Sequence, residues 1–116
     1  MTAKILNQKF YDTSVYFASF AALAANTSSD TSYEATIYIT NKQNAPFALD
    51  LYYKDGGVSA NEMIQPVAFN PNDKIRTLDF AIGEEIQLTG ILLPPNTGLY
   101  AQLTNSISVT AVGKEV

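Results

Sequence analysis

The feature that most constrains this sequence is a period-two alternation of apolar and polar side chains, which recurs along most of its 116 residues. In the run at 33–40, for example, Ala35, Ile37 and Ile39 alternate with threonine and tyrosine side chains. Comparable runs occupy residues 47–54, 77–82, 86–89, 99–104 and 107–111. Because successive side chains of a strand point to opposite faces of a sheet, each run predicts a strand with one buried face.

Segments with turn chemistry separate these runs. The segment 41–46 is polar and ends in proline, and the two prolines in 94–98 exclude a central strand there. Glycines in 55–57 allow the positive φ angles of a tight turn, and 70–73 has proline in the second turn position. Thr104-Asn105 lies between two alternating runs and predicts a tight hairpin.

The regular spacing of the runs predicts an all-β fold, an antiparallel β-sandwich or jelly-roll-like arrangement of about eight strands. The length is that of one domain, and we take 1–116 as a single β-sandwich domain. Residues 12–25 are ambiguous, since Asp12 or Ser14 suits the position before a short helix. Branched and aromatic side chains between Val15 and Phe20 favour a strand, and we interpret the segment as a strand.

The chain carries little charge for its size. Charged residues make up 16% of the sequence, against about 25% in typical soluble domains, and the net charge is −4. The seven basic residues are scattered singly, which argues against a surface that follows nucleic-acid phosphates. No apolar run is long enough to cross a bilayer, and the first residues lack the apolar core of a secretory signal. We therefore expect neither a nucleic-acid partner nor a membrane partner.

The residues that most enzymes use for catalysis are missing. The sequence has no histidine and no cysteine, which removes the usual general base, the usual activated nucleophile and the commonest zinc ligands. Glu84 and Glu85 are adjacent, so a strand would point them to opposite faces. Asp50 and Asp79 fall on polar faces of predicted strands, where we interpret them as surface acids. We predict that the protein is not an enzyme and uses no metal ion or cofactor.

Three tyrosines depart from the pattern of their strands. Tyr38, Tyr52 and Tyr100 lie on faces that otherwise carry threonine, aspartate and glutamine. One interpretation is cross-strand packing over neighbouring side chains. The other is an interface, because tyrosine buries a large area and keeps a polar tip. We predict that the three tyrosines contact a partner, and that replacing all three with serine weakens assembly while the fold stays largely intact.

Two parts of the chain have patterns that go beyond alternation. In the first, 35–41 (Ala-Thr-Ile-Tyr-Ile-Thr-Asn) is followed by 47–53 (Phe-Ala-Leu-Asp-Leu-Tyr-Tyr). In the second, 90–102 contains Leu-Tyr-Ala after a proline turn, and 106–116 ends in a short glycine, lysine and glutamate tail. These parts resemble the central hairpin and the last two strands of small virion proteins of tailed bacteriophages. Asn-Thr at 96–97 replaces the glycine-acid turn that is usual in that group.

The resemblance covers most of the chain from residue 32 onward, and it implies a β-sandwich structural protein of a phage particle. Such a protein is a homo-oligomer that decorates or cements the capsid, or belongs to the tail, and contacts itself and other virion proteins. Its location is the virion, after assembly in the host cytoplasm. The alternative is a β-sandwich module that binds carbohydrate or another host-surface ligand. Exposed tyrosines suit sugar binding, whereas the absence of tryptophan counts against it.

Overall fold

The computed structural model describes residues 3–55, 64–65 and 74–116, and this part of the chain contains nine strands and one short helix, α1 (Thr13–Tyr16). The strands are β1 (Ala3–Tyr11), β2 (Phe20–Asn26), β3 (Tyr33–Asn41), β4 (Phe47–Asp55), β5 (Ile64–Gln65), β6 (Lys74–Phe80), β7 (Glu85–Leu93), β8 (Thr97–Gln102) and β9 (Ile107–Glu115). All except β5 have six residues or more, which confirms the predicted all-β fold. The predicted turn glycines at 56–57 and the predicted turn at 70–73 lie outside the described residues.

The strands form two antiparallel sheets that pack face to face. Sheet A has the order β1-β9-β3-β7, and sheet B has the order β5-β2-β8-β4-β6. The core lies between them, where Ile37 and Ile39 of sheet A pack in one cluster with Leu49, Leu51 and Leu99 of sheet B. Each of these five side chains is at most 1% exposed, so the alternation identified the buried faces of β3 and β4 correctly.

The strand pairing is nested. Among the eight long strands, β1 pairs with β9, β2 with β8, β3 with β7 and β4 with β6, from the two ends of the chain inward. The four pairs then join through β9 and β3 in sheet A and through β8 and β4 in sheet B. This is the strand order of a jelly roll. The fold is therefore the jelly-roll-like form of the predicted antiparallel sandwich.

Two hairpins expected from the sequence are not formed. Thr104-Asn105 connects β8 of sheet B to β9 of sheet A, and 42–46 connects β3 of sheet A to β4 of sheet B. The predicted hairpin at Thr104-Asn105 is therefore wrong, and the central hairpin implied by the resemblance is absent. Alternation shows which face of a strand is buried, but it does not identify the neighbouring strand.

Asn41 shows how the chain is held where it crosses from sheet A to sheet B. This residue is 3% exposed, and its Nδ2 donates to the carbonyl oxygens of Ala45 (2.8 Å) and Ala81 (3.0 Å). Its Oδ1 accepts from the backbone N–H of Gln43. The side chain thus ties the β3–β4 connection to the β6–β7 connection and satisfies backbone groups that have no place in a strand ladder.

The segment 12–25 contains a helix and a strand, so the prediction of one strand is wrong in its first part. Asp12 caps α1, because its Oδ1 accepts from the backbone N–H (2.9 Å) and the hydroxyl (2.8 Å) of Ser14. These hydrogen bonds lower the pKa of the Asp12 carboxyl. The helix ends within four residues, and the predicted strand then begins at Phe20.

One polar contact crosses the core and joins an edge of sheet A to sheet B. Asn7 Nδ2 and the Tyr11 hydroxyl each donate to the carbonyl oxygen of Ala22 at 2.7 Å, and Asn7 Nδ2 also lies 3.1 Å from the Tyr11 oxygen. Both β1 and β2 have a register shift beside these atoms, and such a bulge leaves backbone groups outside the ladder. Tyr11 is fully buried, and its burial raises the pKa of the phenol to about 12.

Candidate interface surfaces

The three tyrosines singled out in the sequence lie on opposite sides of the sandwich. Tyr38 is half-buried on the outer face of sheet A. Tyr52 of β4 and Tyr100 of β8 are direct cross-strand neighbours on the outer face of sheet B. The three residues therefore do not form one surface, although the structure does bring two of them together.

Tyr100 lies on the outer face of its strand, as the alternation predicts, but it is buried within the subunit. The residue is fully buried, and it forms a cluster with Phe20, Ala22 and Ala25 of β2. Tyr52 packs against the same cluster, with its ring edge-on to Phe20 at a centroid distance of 5.3 Å. The contact role of Tyr52 and Tyr100 with a partner stays a prediction, but Tyr100 offers a partner no surface.

The neighbouring strand contributes to the packing of Tyr100. β2 has the sequence Phe-Ala-Ala-Leu-Ala-Ala-Asn and is buried along its whole length. Its small side chains leave space for a large ring on β8. Gly98 adds to this space, since a Cβ there would lie 2.7 Å from Cε1 of Tyr100. An alanine-rich strand next to a tyrosine strand was the sequence signal for this packing, and alternation within β8 alone does not contain it.

The other part of the outer face of sheet B, on β4 and β6, carries charged side chains, of which Asp50 and Lys74 contact each other. The Thr77 hydroxyl donates to Asp50 Oδ1 at 2.7 Å, and Lys74 Nζ lies 3.7 Å from the same oxygen. Asp79 lies opposite Ala48, at the next outward register position. We define Asp50, Lys74, Thr77 and Asp79 as the charged strip. These contacts agree with the interpretation of Asp50 as a surface acid.

The outer face of sheet A is different, because the register aligns its outward side chains into four neutral or weakly charged rows. We call this set of residues the sheet A face. The rows, read from β1 through β9 and β3 to β7, are Ala3-Lys114-Glu34-Leu92, Ile5-Val112-Thr36, Gln8-Thr110-Tyr38-Gln87 and Phe10-Ser108-Thr40-Glu85. All of these residues are exposed or half-buried.

Apolar side chains on the sheet A face are open to solvent. Ile5 is 64% exposed, and Phe10 and Leu92 are each 52% exposed. Tyr38 lies in the third row, between Thr110 and Gln87. The alternation did not predict these exposed residues because both strands are interrupted by a register shift, in β1 between Ile5 and Asn7 and in the pairing of β7 with β3. Ile5 and Phe10 lie on edge strand β1 and Leu92 on edge strand β7, so these apolar groups border the face on both sides.

Both edges of sheet A are poorly suited to accept another strand. Lys4 and Lys9 of β1 fall at inward register positions, and their Nζ atoms lie 5.4 Å and 5.9 Å from the rings of Tyr33 and Tyr11. Inward-pointing charges and bulges are the usual protection of an edge strand. The opposite edge, β7, has its own register shift, and Gly90 there has a φ of +67°. Contact through the face is therefore favoured over contact through the edges.

Two shallow depressions indent the sheet A face and its β1 edge. The larger surrounds Tyr38 and is lined by Ala3, Glu34, Thr36, Tyr38, Val112, Gly113 and Lys114. The other lies between β1 and β9 and is lined by Gln8, Lys9, Phe10, Ser108, Val109 and Thr110. Both depressions are open to solvent. Each can accept either a side chain from a partner's surface or a small ligand.

A smaller apolar surface lies in the β1–β2 connection. Val15 is 67% exposed and Phe17 is 68% exposed. Ala18, which follows, has a φ of +65°, a conformation that side chains other than glycine rarely adopt. Its N–H donates to the carbonyl oxygen of Leu103 at 2.8 Å, and Leu103 N–H donates to Ser19 O at 2.9 Å. These bonds hold the loop and keep Phe17 outside the core.

Other kinds of site have little support in the described part of the chain. There, no three side chains able to ligate a metal ion come together. Across the same residues, no helix has the length and apolar character needed to cross a membrane. Comparisons of the chain with protein-family models, with curated proteins and with solved structures gave no match.

Proposed function

We propose that this protein is a non-enzymatic structural protein of a tailed-phage virion, a homo-oligomer that decorates or cements the capsid or belongs to the tail. The observation that carries the proposal is the sheet A face. It has three charged side chains, Glu34, Glu85 and Lys114, among its fifteen residues, and it carries exposed apolar side chains on both edge strands, β1 and β7, with Tyr38 on β3 between them. Depletion of charge and enrichment of tyrosine are typical of the central part of protein–protein interfaces.

The fold supports the proposal only by analogy. Jelly rolls build viral capsid domains, and they also build lectin domains and other binding modules. The resemblance of 90–102 and 106–116 to phage virion proteins favours the first of these uses. The β3–β4 part of that resemblance adds sequence similarity but no shared pairing, since the two strands lie in different sheets.

The proposed mechanism is multivalent attachment. A subunit of this size offers a partner one face of modest area, and a single contact of that area is weak or transient. Repetition on a symmetric particle makes every further contact intramolecular, so many weak contacts sum to a stable attachment. No reactive side chain is needed for this role, which suits a chain without histidine or cysteine.

The experiment that tests the proposal is a copy-number measurement on purified phage particles. Quantitative mass spectrometry of density-purified particles is expected to find the chain at a fixed multiple of a capsid or tail protein. Particles of a phage that lacks the gene serve as the matched control. Purified chain added to these particles is expected to bind them at a saturable copy number. A chain that is absent from particles and does not bind the deleted ones contradicts the proposal.

A second candidate function is carbohydrate binding, which the depression around Tyr38 favours. An aromatic ring beside Glu34 and Thr36, in a shallow open groove, offers a sugar both a stacking surface and hydrogen-bonding groups. A saccharide titration followed by tyrosine fluorescence tests this function. Saturable binding by a monomer, abolished by Tyr38→Ser, would replace the structural proposal, because both functions use the same face.

A further inference from the structure

We infer that the sheet A face binds the sheet A face of a second copy, across a two-fold axis that runs parallel to the strands between β9 and β3. The inference rests on the proposed function as a homo-oligomer and names the contact that the function would use. Two-fold dimers are the commonest homo-oligomers, and their interfaces are self-complementary: if residue i contacts residue j of the partner, then j contacts i.

The symmetry fixes which strands meet. Sheet A has four strands, and its midline lies between β9 and β3. Rotation by half a turn about an axis along that midline places β9 on the partner's β3 and β1 on the partner's β7, while each row stays opposite the same row. Face-to-face sheets pack about 10 Å apart with strand directions within about 30° of each other. The arrangement is therefore an ordinary sheet packing.

The charges of the first row are complementary under this rotation. Lys114 and Glu34 are cross-strand neighbours on either side of the midline, so each Lys114 meets Glu34 of the partner. Both side chains are exposed, and in the described chain neither forms an intramolecular ion pair. A two-fold axis across the strands would instead place Lys114 on Ser108 and Glu34 on Thr40, and leave both charges without a counterpart.

Two further contacts match a large group with a small one, whereas the fourth row places the Phe10 ring opposite Glu85 of the partner. Ile5 meets the β7 bulge at Gly90, where a Cβ would contact nothing within 4 Å, so space exists for the isoleucine side chain. Leu92 meets Ala3, and Gln8 meets Gln87, whose amides can exchange hydrogen bonds. The third charge, Glu85, lies at the rim of the face and accepts a hydrogen bond from the Thr40 hydroxyl at 3.1 Å.

The size of the face is adequate for a dimer of moderate affinity. Four strands and four rows cover about 20 by 25 Å, from the strand spacing and the rise per residue. That projected area is about 500 Å² per copy, and side-chain relief brings the accessible area towards the roughly 800 Å² per partner of a standard interface. Such an interface lies near the lower limit for stable association, as expected for a contact that a particle reinforces.

Charge reversal of one residue at a time gives a specific test. In a Lys114→Glu homodimer, each introduced glutamate would meet Glu34 of the partner, and in a Glu34→Lys homodimer each introduced lysine would meet Lys114. Each variant alone is expected to dimerise about tenfold or more weakly than the unmodified chain in sedimentation equilibrium. Added salt should recover part of the lost affinity, since it screens exposed charges.

Mixing the two variants reverses the loss. The Lys114→Glu chain presents two acidic residues in the first row and the Glu34→Lys chain presents two basic residues, so each acidic group meets a basic one. A mixture is expected to form a heterodimer, visible by native mass spectrometry, at least as tight as the original dimer. Lys42→Glu, an equal charge change in the β3–β4 connection, is the matched control and should dimerise normally. Circular dichroism and melting temperature report whether each variant is folded.

The outcomes separate this inference from the proposed function. If the unmodified chain dimerises and the single variants dimerise equally well, the inferred axis is wrong while the structural role stands. If the chain is present on particles but neither it nor the variant mixture dimerises, the inference alone is overturned. If the chain is absent from particles, the proposed function fails whatever the result of the mixing experiment.

Discussion

The outer faces of the two sheets carry the same kind of signal in the sequence and have different fates in the structure. On sheet B, Tyr100 is buried against alanines of β2, and in the charged strip on β4 and β6 Asp50 contacts both Thr77 and Lys74. On sheet A, Tyr38 is half-buried among threonines and glutamines, with Ile5 and Phe10 open to solvent nearby. A tyrosine on a polar face is therefore available to a partner only where the neighbouring strands leave it uncovered.

The largest effect that tests this comparison is the replacement of Tyr100 by serine. Because the ring is fully buried in the cluster with Phe20 and Ala22, its loss is expected to cost about 3–5 kcal/mol of unfolding free energy. Urea denaturation measures the cost, and Tyr100→Phe, which keeps the ring, should lose much less. This result would also correct the expectation that all three tyrosines can be replaced without damage to the fold. A Tyr100→Ser protein of normal stability would contradict the burial on sheet B.

A smaller effect concerns the contact of Asn7 and Tyr11 with the Ala22 carbonyl, and it appears as a pH dependence of the unfolding free energy. The pKa of Tyr11 is raised to about 12 in the folded protein, against 10.0 for the free phenol. Above pH 10 the unfolded chain loses this proton first. The contribution of the Tyr11 phenol to the unfolding free energy is therefore fully present below pH 10 and falls as the pH rises towards 12. This difference in pKa between the folded and the unfolded protein corresponds to about 2.7 kcal/mol of unfolding free energy.

The variant Tyr11→Phe isolates this contribution. It should lose roughly 1 kcal/mol at neutral pH, for one hydrogen bond, since Asn7 still donates to the Ala22 carbonyl. Between pH 10 and 12 its unfolding free energy should fall less steeply than that of the unmodified chain. Burial also raises the pKa of Tyr53, so the difference between the two proteins is the quantity to compare. Identical slopes would mean that Tyr11 is not the titrating group.

A still smaller change in stability is expected for Tyr38→Ser, together with a large change in association. Tyr38 makes cross-strand contacts on an exposed face, which are worth about 0.2–1 kcal/mol. Self-association, measured by sedimentation equilibrium, should weaken because the tyrosine lies in the third row of the proposed contact. Tyr38→Phe keeps the ring and should associate more tightly than the serine variant. Unchanged association in both variants would mean that Tyr38 is only surface packing.

The smallest effect is expected on the charged strip. Thr77→Val removes the donor to Asp50 but leaves Lys74 beside the same carboxylate, so the change in unfolding free energy should stay below about 1 kcal/mol. Association should not change, because the strip lies on the opposite sheet. A clear loss of association in Thr77→Val would show that the outer face of sheet B also contacts a partner, and would remove the contrast between the faces.

The sequence was sufficient for the strands but not for their partners. Alternation at Ile37 and Ile39 identified β3 and its buried face, because one side chain in two has to enter the core. It could not reveal that β3 lies beside β9 and β7, since strands with the same alternation pair equally well by that criterion. The helix capped by Asp12 is only four residues long, too short for a helical period to be visible in the sequence.

The candidate interface was predictable in part. Tyr38 was identified because its side chain breaks a run of threonines, and it does lie on an open face. Ile5 was missed because the β1 bulge shifts the residues that face outward, and a bulge has no marker in this sequence. The face of Tyr100 was predicted correctly but its burial was not, because the residues it packs against are 75 or more positions away in β2.

The nested pairing also sets when a functional surface comes into existence. Ala3 pairs with Lys114, and β9 fills the position between β1 and β3 at the middle of sheet A. During synthesis, β1 and β3 leave the ribosome first, and the position between them in sheet A stays empty until β9 has also emerged. Pairing over such long sequence separations is slow because loop closure precedes any gain in contacts. The sheet A face is therefore a property of chains synthesised through β9, and unfinished chains cannot use it to enter an assembly.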